Sequence, residues 1–144
     1  MKSDYQILEK ELSYKIYGIF LKVGKDLGNY CKEAVYQKAC EEELKDSNIH
    51  YVGKPDIELY NYNNRLVGKL IPDLIVDDKI IIEIKAVKFL MESSINQLLK
   101  YLEKSRYEIG YLVNFGTSYI QIIRRIYTND RKSHLRHEPA RTIR

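Results

Sequence analysis

Asp73, Glu83 and Lys85 are the residues of this sequence whose types and spacing point to chemistry. Asp73 interrupts the apolar stretch LIPDLIV, and Glu83 and Lys85 stand in KIIIEIKAV among Ile80, Ile81, Ile82 and Ile84. Stretches this apolar belong inside a protein, where a charge needs a counter-charge, a metal or a water-filled cleft. Strand side chains alternate, so Glu83 and Lys85 share one face, separated by ~7 Å of rise. A three-residue turn of Asp77, Asp78 and Lys79 would set Asp73 directly opposite Glu83, whereas a slip of one residue would put the two on opposite faces. In the favoured register the two carboxylates and the ammonium converge on one patch.

Two carboxylates at close range repel each other unless something positive lies between them. Ligands that are all oxygen suit a hard divalent cation such as Mg²⁺ or Mn²⁺. A lysine two residues along could hold the attacking water and offset charge that develops in a transition state. The set therefore suits hydrolysis of a phosphodiester. From spacing alone, a buried Asp–Lys–Glu ion network without chemistry is the favoured reading, because such patterns arise easily by chance.

The elements that must position these residues are legible from periodicity. Leu8, Leu12, Ile16, Ile19, Phe20, Val23 and Leu27 recur at helical spacing, with Ser3 or Asp4 as the expected cap and Gly28 as the stop. A second helix is expected from about Cys31 to Asp46, its inward stripe Tyr36, Cys40 and Leu44 with Val35 and Ala39 alongside. Glu33 falls on that same stripe, a carboxylate where an apolar residue belongs. From His50 the texture changes to short strands, PDIELYNY, RLVGKLIPDLIV and KIIIEIKAV, expected to form an antiparallel meander. A helix near Glu92 to Lys104 turns Ile95, Leu98, Leu99 and Leu102 inward, and YEIGYLVNF and YIQIIRRIY form two strands around Gly116-Thr117-Ser118. The order α-α-β-β-β-α-β-β predicts an α/β fold, a central mixed sheet flanked by helices.

Composition limits the alternatives. A chain of 144 residues, 44% hydrophobic and 31% charged, has the size and character of one globular domain. No apolar run approaches the ~20 residues that cross a bilayer, and the mixed charges of MKSDYQILEKELSYK do not resemble a signal peptide, so no membrane association and a cytoplasmic location are expected. Cys31 and Cys40 are too few for a disulfide framework, and a metal site joining them to His134 and His137 is not expected. Scattered glycines make no phosphate loop, and no nucleophile elbow is present. The net charge of +4 is uneven: residues 124–144 carry +5, the rest −1. The expected organisation is a domain over residues 1–127 and a basic tail over 128–144, which could attract a phosphate backbone or simply be solvated. Of the thirteen tyrosines, Tyr60, Tyr62, Tyr107 and Tyr111 could stack on bases, but half-buried sheet positions are the expectation.

Pro72-Asp73, nine intervening residues and Glu83-Ile84-Lys85 together resemble the signature of the PD-(D/E)XK nuclease superfamily. The stretch from Leu12 to about Phe115 is similar to the GxxExxY proteins of that superfamily, whose motif falls on Tyr30 to Tyr36, with Glu33 and Tyr36 matched and Tyr30 in place of the glycine. The resemblance implies a restriction-endonuclease-like core and a metal-dependent nuclease. It also implies catalytic roles for Asp73, Glu83, Lys85 and Glu33, with Mg²⁺ or Mn²⁺ held by Asp73, Glu83, the Ile84 carbonyl and Glu33. Gln97 and Tyr101, four apart on one helix face, look like the Q-x-x-x-Y feature of RecB-type members that lines the site near substrate. The implied partner is nucleic acid, DNA ahead of RNA, and a homodimer would enlarge a small footprint. A nuclease fold retained as a catalytically inactive binding module is the alternative.

Overall fold

The structure, a computed structural model, describes residues 7–133 and the backbone of residues 142–143. Three helices, α1 (Lys10–Leu27), α2 (Glu33–Asp46) and α3 (Glu92–Lys104), pack on a five-stranded sheet. Its strands are β1 (Tyr51–Gly53), β4 (Leu74–Val76), β5 (Ile80–Lys85), β6 (Ile109–Asn114) and β7 (Gln121–Ile126), in the spatial order β1-β4-β5-β6-β7. Only β5 and β6 run parallel; α3 makes the crossover between them, and every other neighbouring pair is antiparallel. The mixed α/β sheet read from the sequence is therefore present.

Strand β5 lies in the middle of this sheet and is covered on both faces, which is why it reads as a run of isoleucines. Ile80, Ile82 and Ile84 join Ile16, Phe20, Val23, Tyr36, Cys40 and Leu44 in a core beneath α1 and α2. Ile75, Ile81 and Leu112 meet Leu98, Tyr101 and Leu102 of α3 on the opposite face. The apolar stripes on all three helices thus largely fill the layers expected of them; Leu27 and Val35, also assigned to stripes, are instead exposed, at the end of α1 and on the first turn of α2. Helix α1 starts later than its stripe suggests: Glu9 precedes it in a left-handed conformation and makes no side-chain cap. Ser3 and Asp4 lie outside the described residues. At the other end Gly28, with φ 70°, stops the helix as expected, because a side chain there would be strained.

The antiparallel meander needs correction. The chain leaves the large sheet after β1, forms a hairpin of β2 (Asp56–Tyr60) and β3 (Leu66–Leu70), and returns as β4. With β8 (Thr142–Ile143) the hairpin makes a separate three-stranded sheet in the order β3-β2-β8. Both junctions carry a buried proline, Pro55 on the way out and Pro72 on the way back. Proline cannot donate to a ladder, so each interrupts pairing with the large sheet. RLVGKLIPDLIV is consequently two strands in two sheets rather than one. At the start of the basic tail, residues 129–131 form a short 3-10 turn and Lys132 is buried rather than solvated. The His134 and His137 positions, and Arg136, Arg141 and Arg144, lie outside the described residues.

Candidate active site

The β4–β5 hairpin pivots as the spacing demands. Leu74 pairs with Ile82, Ile75 with Ile81 and Val76 with Ile80, leaving Asp77, Asp78 and Lys79 as the turn. Continued by one position, that register sets Asp73 opposite Glu83. Their contacts agree: the Asp73 amide donates to Glu83 Oε1 at 2.9 Å, and the Ile84 amide donates to Asp73 Oδ2 at 2.7 Å. Each carboxylate is thus pinned by the other strand's backbone. No second hydrogen bond to the Glu83 carboxylate is found among the described residues, and neither of its oxygens is both buried and unpartnered. Alternation puts Lys85, half-buried, on the Glu83 face of β5.

The electrostatics are unequal. Glu83 is 7% exposed, and its carboxyl is pushed up to about 7, first by burial and then by the Asp73 charge. Asp73 is relieved by a residue the sequence did not single out. The Lys54 ammonium pairs with Asp73 Oδ1, and the Lys54 amide donates to the Asp73 carbonyl at 2.9 Å. Lys54 titrates above its ordinary value: burial works against its charge, but Asp73, reinforced by Glu83 and Glu33, outweighs it. Lys54 stands before Pro55 and Asp73 after Pro72, so the pair closes the neck of the hairpin sheet. The Lys-Pro and Pro-Asp dipeptides were the available signals, but nothing local says that they meet.

Glu33 is not where the inward stripe put it. It is exposed on the first turn of α2, because Tyr36 rather than Glu33 faces the core at that end. It still faces the site's direction: Gln37, one turn on, donates to the Asp73 carbonyl at 3.0 Å, and Glu33 acts electrostatically on Lys54. Among the described residues no group of three His, Cys, Asp or Glu side chains is arranged to hold a metal ion, so a direct ligand role for Glu33 beside Asp73 and Glu83 does not follow from this geometry. Tyr36, matched in the same motif, is wholly buried; its hydroxyl donates to the Gly28 carbonyl and accepts from the Cys31 amide. It fastens the α1–α2 turn.

Tyr101 of α3 is buried against the opposite side of the pair. Its hydroxyl is pushed up by burial first, then by the Glu83 and Asp73 charges, so it shares their field. Gln97 lies one turn earlier, exposed, and makes no hydrogen bond to the acidic pair among the described residues. The structure therefore brings together Asp73, Glu83, Lys85, Tyr101 and the unforeseen Lys54 at the C-terminal end of β5. It leaves Glu33 and Gln97 at the margin. The donor set, two carboxylates and the Ile84 carbonyl, is all oxygen and fits a hard divalent cation.

Among families of known proteins, the model that describes the PD-(D/E)XK nuclease superfamily matches residues 10–126, from the start of α1 to the end of β7. No curated protein and no solved structure matches the chain.

Proposed function

Because the chain belongs to the PD-(D/E)XK nuclease superfamily, we propose that it hydrolyses phosphodiester bonds of nucleic acid, DNA ahead of RNA, using Mg²⁺ or Mn²⁺. The observation that carries this reading is the pairing of Asp73 with a buried Glu83 whose carboxyl is pushed up to about 7, beside Lys85. Asp73, Glu83 and the Ile84 carbonyl would hold the cation. A bound divalent cation supplies a more acidic water and a positive charge against the phosphoryl oxygens.

The chain's own groups do the rest. A carboxyl poised at about 7 gives up its proton readily once a cation approaches, so Glu83 is ready to charge at neutral pH. Lys85, on the same strand face, donates to the attacking water and offsets charge on the phosphate. Lys54 and the Ile84 amide keep Asp73 aligned. Glu33 acts from the margin, through water, and Gln97 with Tyr101 meets the substrate on the α3 side. Glu33 and Tyr36 also support the narrower assignment to the GxxExxY group.

The test is cleavage of labelled DNA by purified protein with and without Mg²⁺ or Mn²⁺. Asp73→Ala and Lys85→Ala should each lower the rate by about 10²- to 10³-fold, with melting temperatures close to that of the parent. Undiminished cleavage by Lys85→Ala would remove that residue from the mechanism. Metal-independent cleavage would remove the cation.

A further inference from the structure

Among the described residues five aromatic side chains are more than four-fifths exposed: Tyr14, Tyr30, Tyr62, Phe89 and Tyr119. Three of them, Tyr30, Phe89 and Tyr119, sit on three loops at the end of the sheet that holds Asp73 and Glu83. Residues 28–32 join α1 to α2, residues 86–91 leave β5 just after Lys85, and residues 115–120 join β6 to β7.

These loops lie against one another. A Cβ on Gly116 would come within 2.3–2.6 Å of the Val87 and Ala86 backbone, so only glycine lets the second and third loops touch this closely. The Asn114 side chain bonds both Val87 N, at 3.0 Å, and Val87 O, at 2.9 Å. Phe115 stacks on Tyr36 at 4.5 Å, and Tyr36 in turn holds Gly28 and Cys31. Between the first and third loops is a hollow of about 270 Å³, edged by Asn29, Thr117, Ser118 and Tyr119. Lys25, Lys32 and Lys88 are exposed on or beside the same loops.

Burying an aromatic ring is favourable, so three uncovered rings on neighbouring loops at one end of the sheet, Tyr119 among them at the edge of the hollow, suit a partner with flat faces. In a duplex the base faces are already stacked on one another, whereas a single strand offers them freely. We propose that the chain takes its substrate as a single strand, with bases stacked on Tyr30, Phe89 and Tyr119 and phosphates met by Lys25, Lys32 and Lys88. This rests on the nuclease reading and adds to it the state of the substrate. The pattern of rings for bases and cations for the backbone is the general solution for unpaired nucleic acid. The amide and hydroxyls around the hollow can meet the edge of one base that has left the stack.

Binding and cleavage are measured separately. Fluorescence anisotropy in metal-free buffer with a labelled oligothymidylate, and with the same strand annealed to its complement, should show the single strand bound about tenfold or more tightly. Alanine at Tyr30, Phe89 or Tyr119 should weaken that binding roughly fivefold to a hundredfold each, without changing the melting temperature, since none of the three is buried. Tyr30→Phe and Tyr119→Phe should keep most of the affinity, because the ring is retained. Replacing the three lysines with glutamine should flatten the salt dependence by about 0.7 in log–log slope for each phosphate that is no longer neutralised. Equal or tighter binding of the duplex overturns the proposal, as does parental affinity in the triple alanine variant, which would assign these rings to a protein partner. If duplex is cleaved in an Asp73-dependent way and single strand is not, the proposal fails while the nuclease reading stands. If neither form is bound nor cleaved with metal present, both fail.

Discussion

Two groups of interacting charge occupy opposite ends of one sheet, and they are built on different principles. At the turn end, Arg106 donates to both oxygens of Asp78 at 2.7 Å, and the Tyr107 hydroxyl donates to Asp78 Oδ1 at 2.9 Å. Nearby the Lys132 ammonium donates to the Ser105 and Tyr107 carbonyls and to Asn129 Oδ1, at 3.0, 2.7 and 2.7 Å. Its three protons thus find three acceptors, and the cluster is complete without any ligand. At the other end Glu83 is buried with one hydrogen bond to its carboxylate, next to another carboxylate, and burial outweighs the help it receives from Lys85 and Lys54. The first arrangement holds the chain together. The second leaves a buried carboxyl pushed up to about 7, the kind of perturbation that functional sites concentrate.

The sharpest way to break this comparison is activity. Asp73→Asn should lose about two to three orders of magnitude in cleavage, whereas Lys132→Met should leave turnover per folded molecule unchanged. Equal losses from the two ends would erase the distinction.

Stability should separate them with opposite signs. Glu83→Gln removes a buried charge, so at pH 8 it is expected to raise unfolding free energy by on the order of 3 kcal/mol at most. Lys132→Met strands two backbone carbonyls and is expected to cost about 1–3 kcal/mol. Urea unfolding of both variants at that pH reads the difference, and a destabilised Glu83→Gln would contradict the account of the pair.

pH sharpens the same contrast. The folded Glu83 carboxyl holds its proton more tightly than the unfolded one, so its contribution to stability is full below about 4.5 and is lost as pH rises through about 7. Lys132 is lowered to about 8 by burial, so between about 8 and 10.5 the unfolded chain binds the extra proton and stability rises with pH. Each slope should vanish in its own variant, Glu83→Gln or Lys132→Met, and persist in the other when melting is followed across pH.

The smallest expected effect is at the rim of the turn end. The Asp78 and Arg106 side chains are more than a third exposed, so Asp78→Asn should cost no more than about 1 kcal/mol despite the short contacts. A loss of several kcal/mol would show that this pair, too, is held in a dry environment.

Much of the site could be read in one dimension because its geometry is local. A three-residue turn fixes a hairpin register, and alternation then assigns faces, so Asp77 to Lys79 suffices to oppose Asp73 to Glu83 and to turn Lys85 their way. The stripes of α1, α2 and α3 were legible for the same reason: a helix repeats every few residues whatever it packs on. Glu33 shows where periodicity stops being enough. A stripe is wider than one row of side chains, and which edge of it is covered depends on the neighbour's position; here Tyr36 meets Phe115 and Glu33 stays in solvent.

What the sequence determined by itself, then, was the three helices, the hairpin that opposes the two carboxylates and the membership of the family, whereas the number of strands before α3 rose from the three expected to five. Tertiary structure alone decided that the hairpin between two prolines leaves for a second sheet, that Lys54 closes its neck upon Asp73, and that three loops bearing exposed aromatic rings lie at one end of the sheet. The physical reason is range. Turn chemistry and side-chain period act over a few residues, whereas these meetings join positions far apart in the chain, and only the packing of helices on both faces of the sheet brings them together.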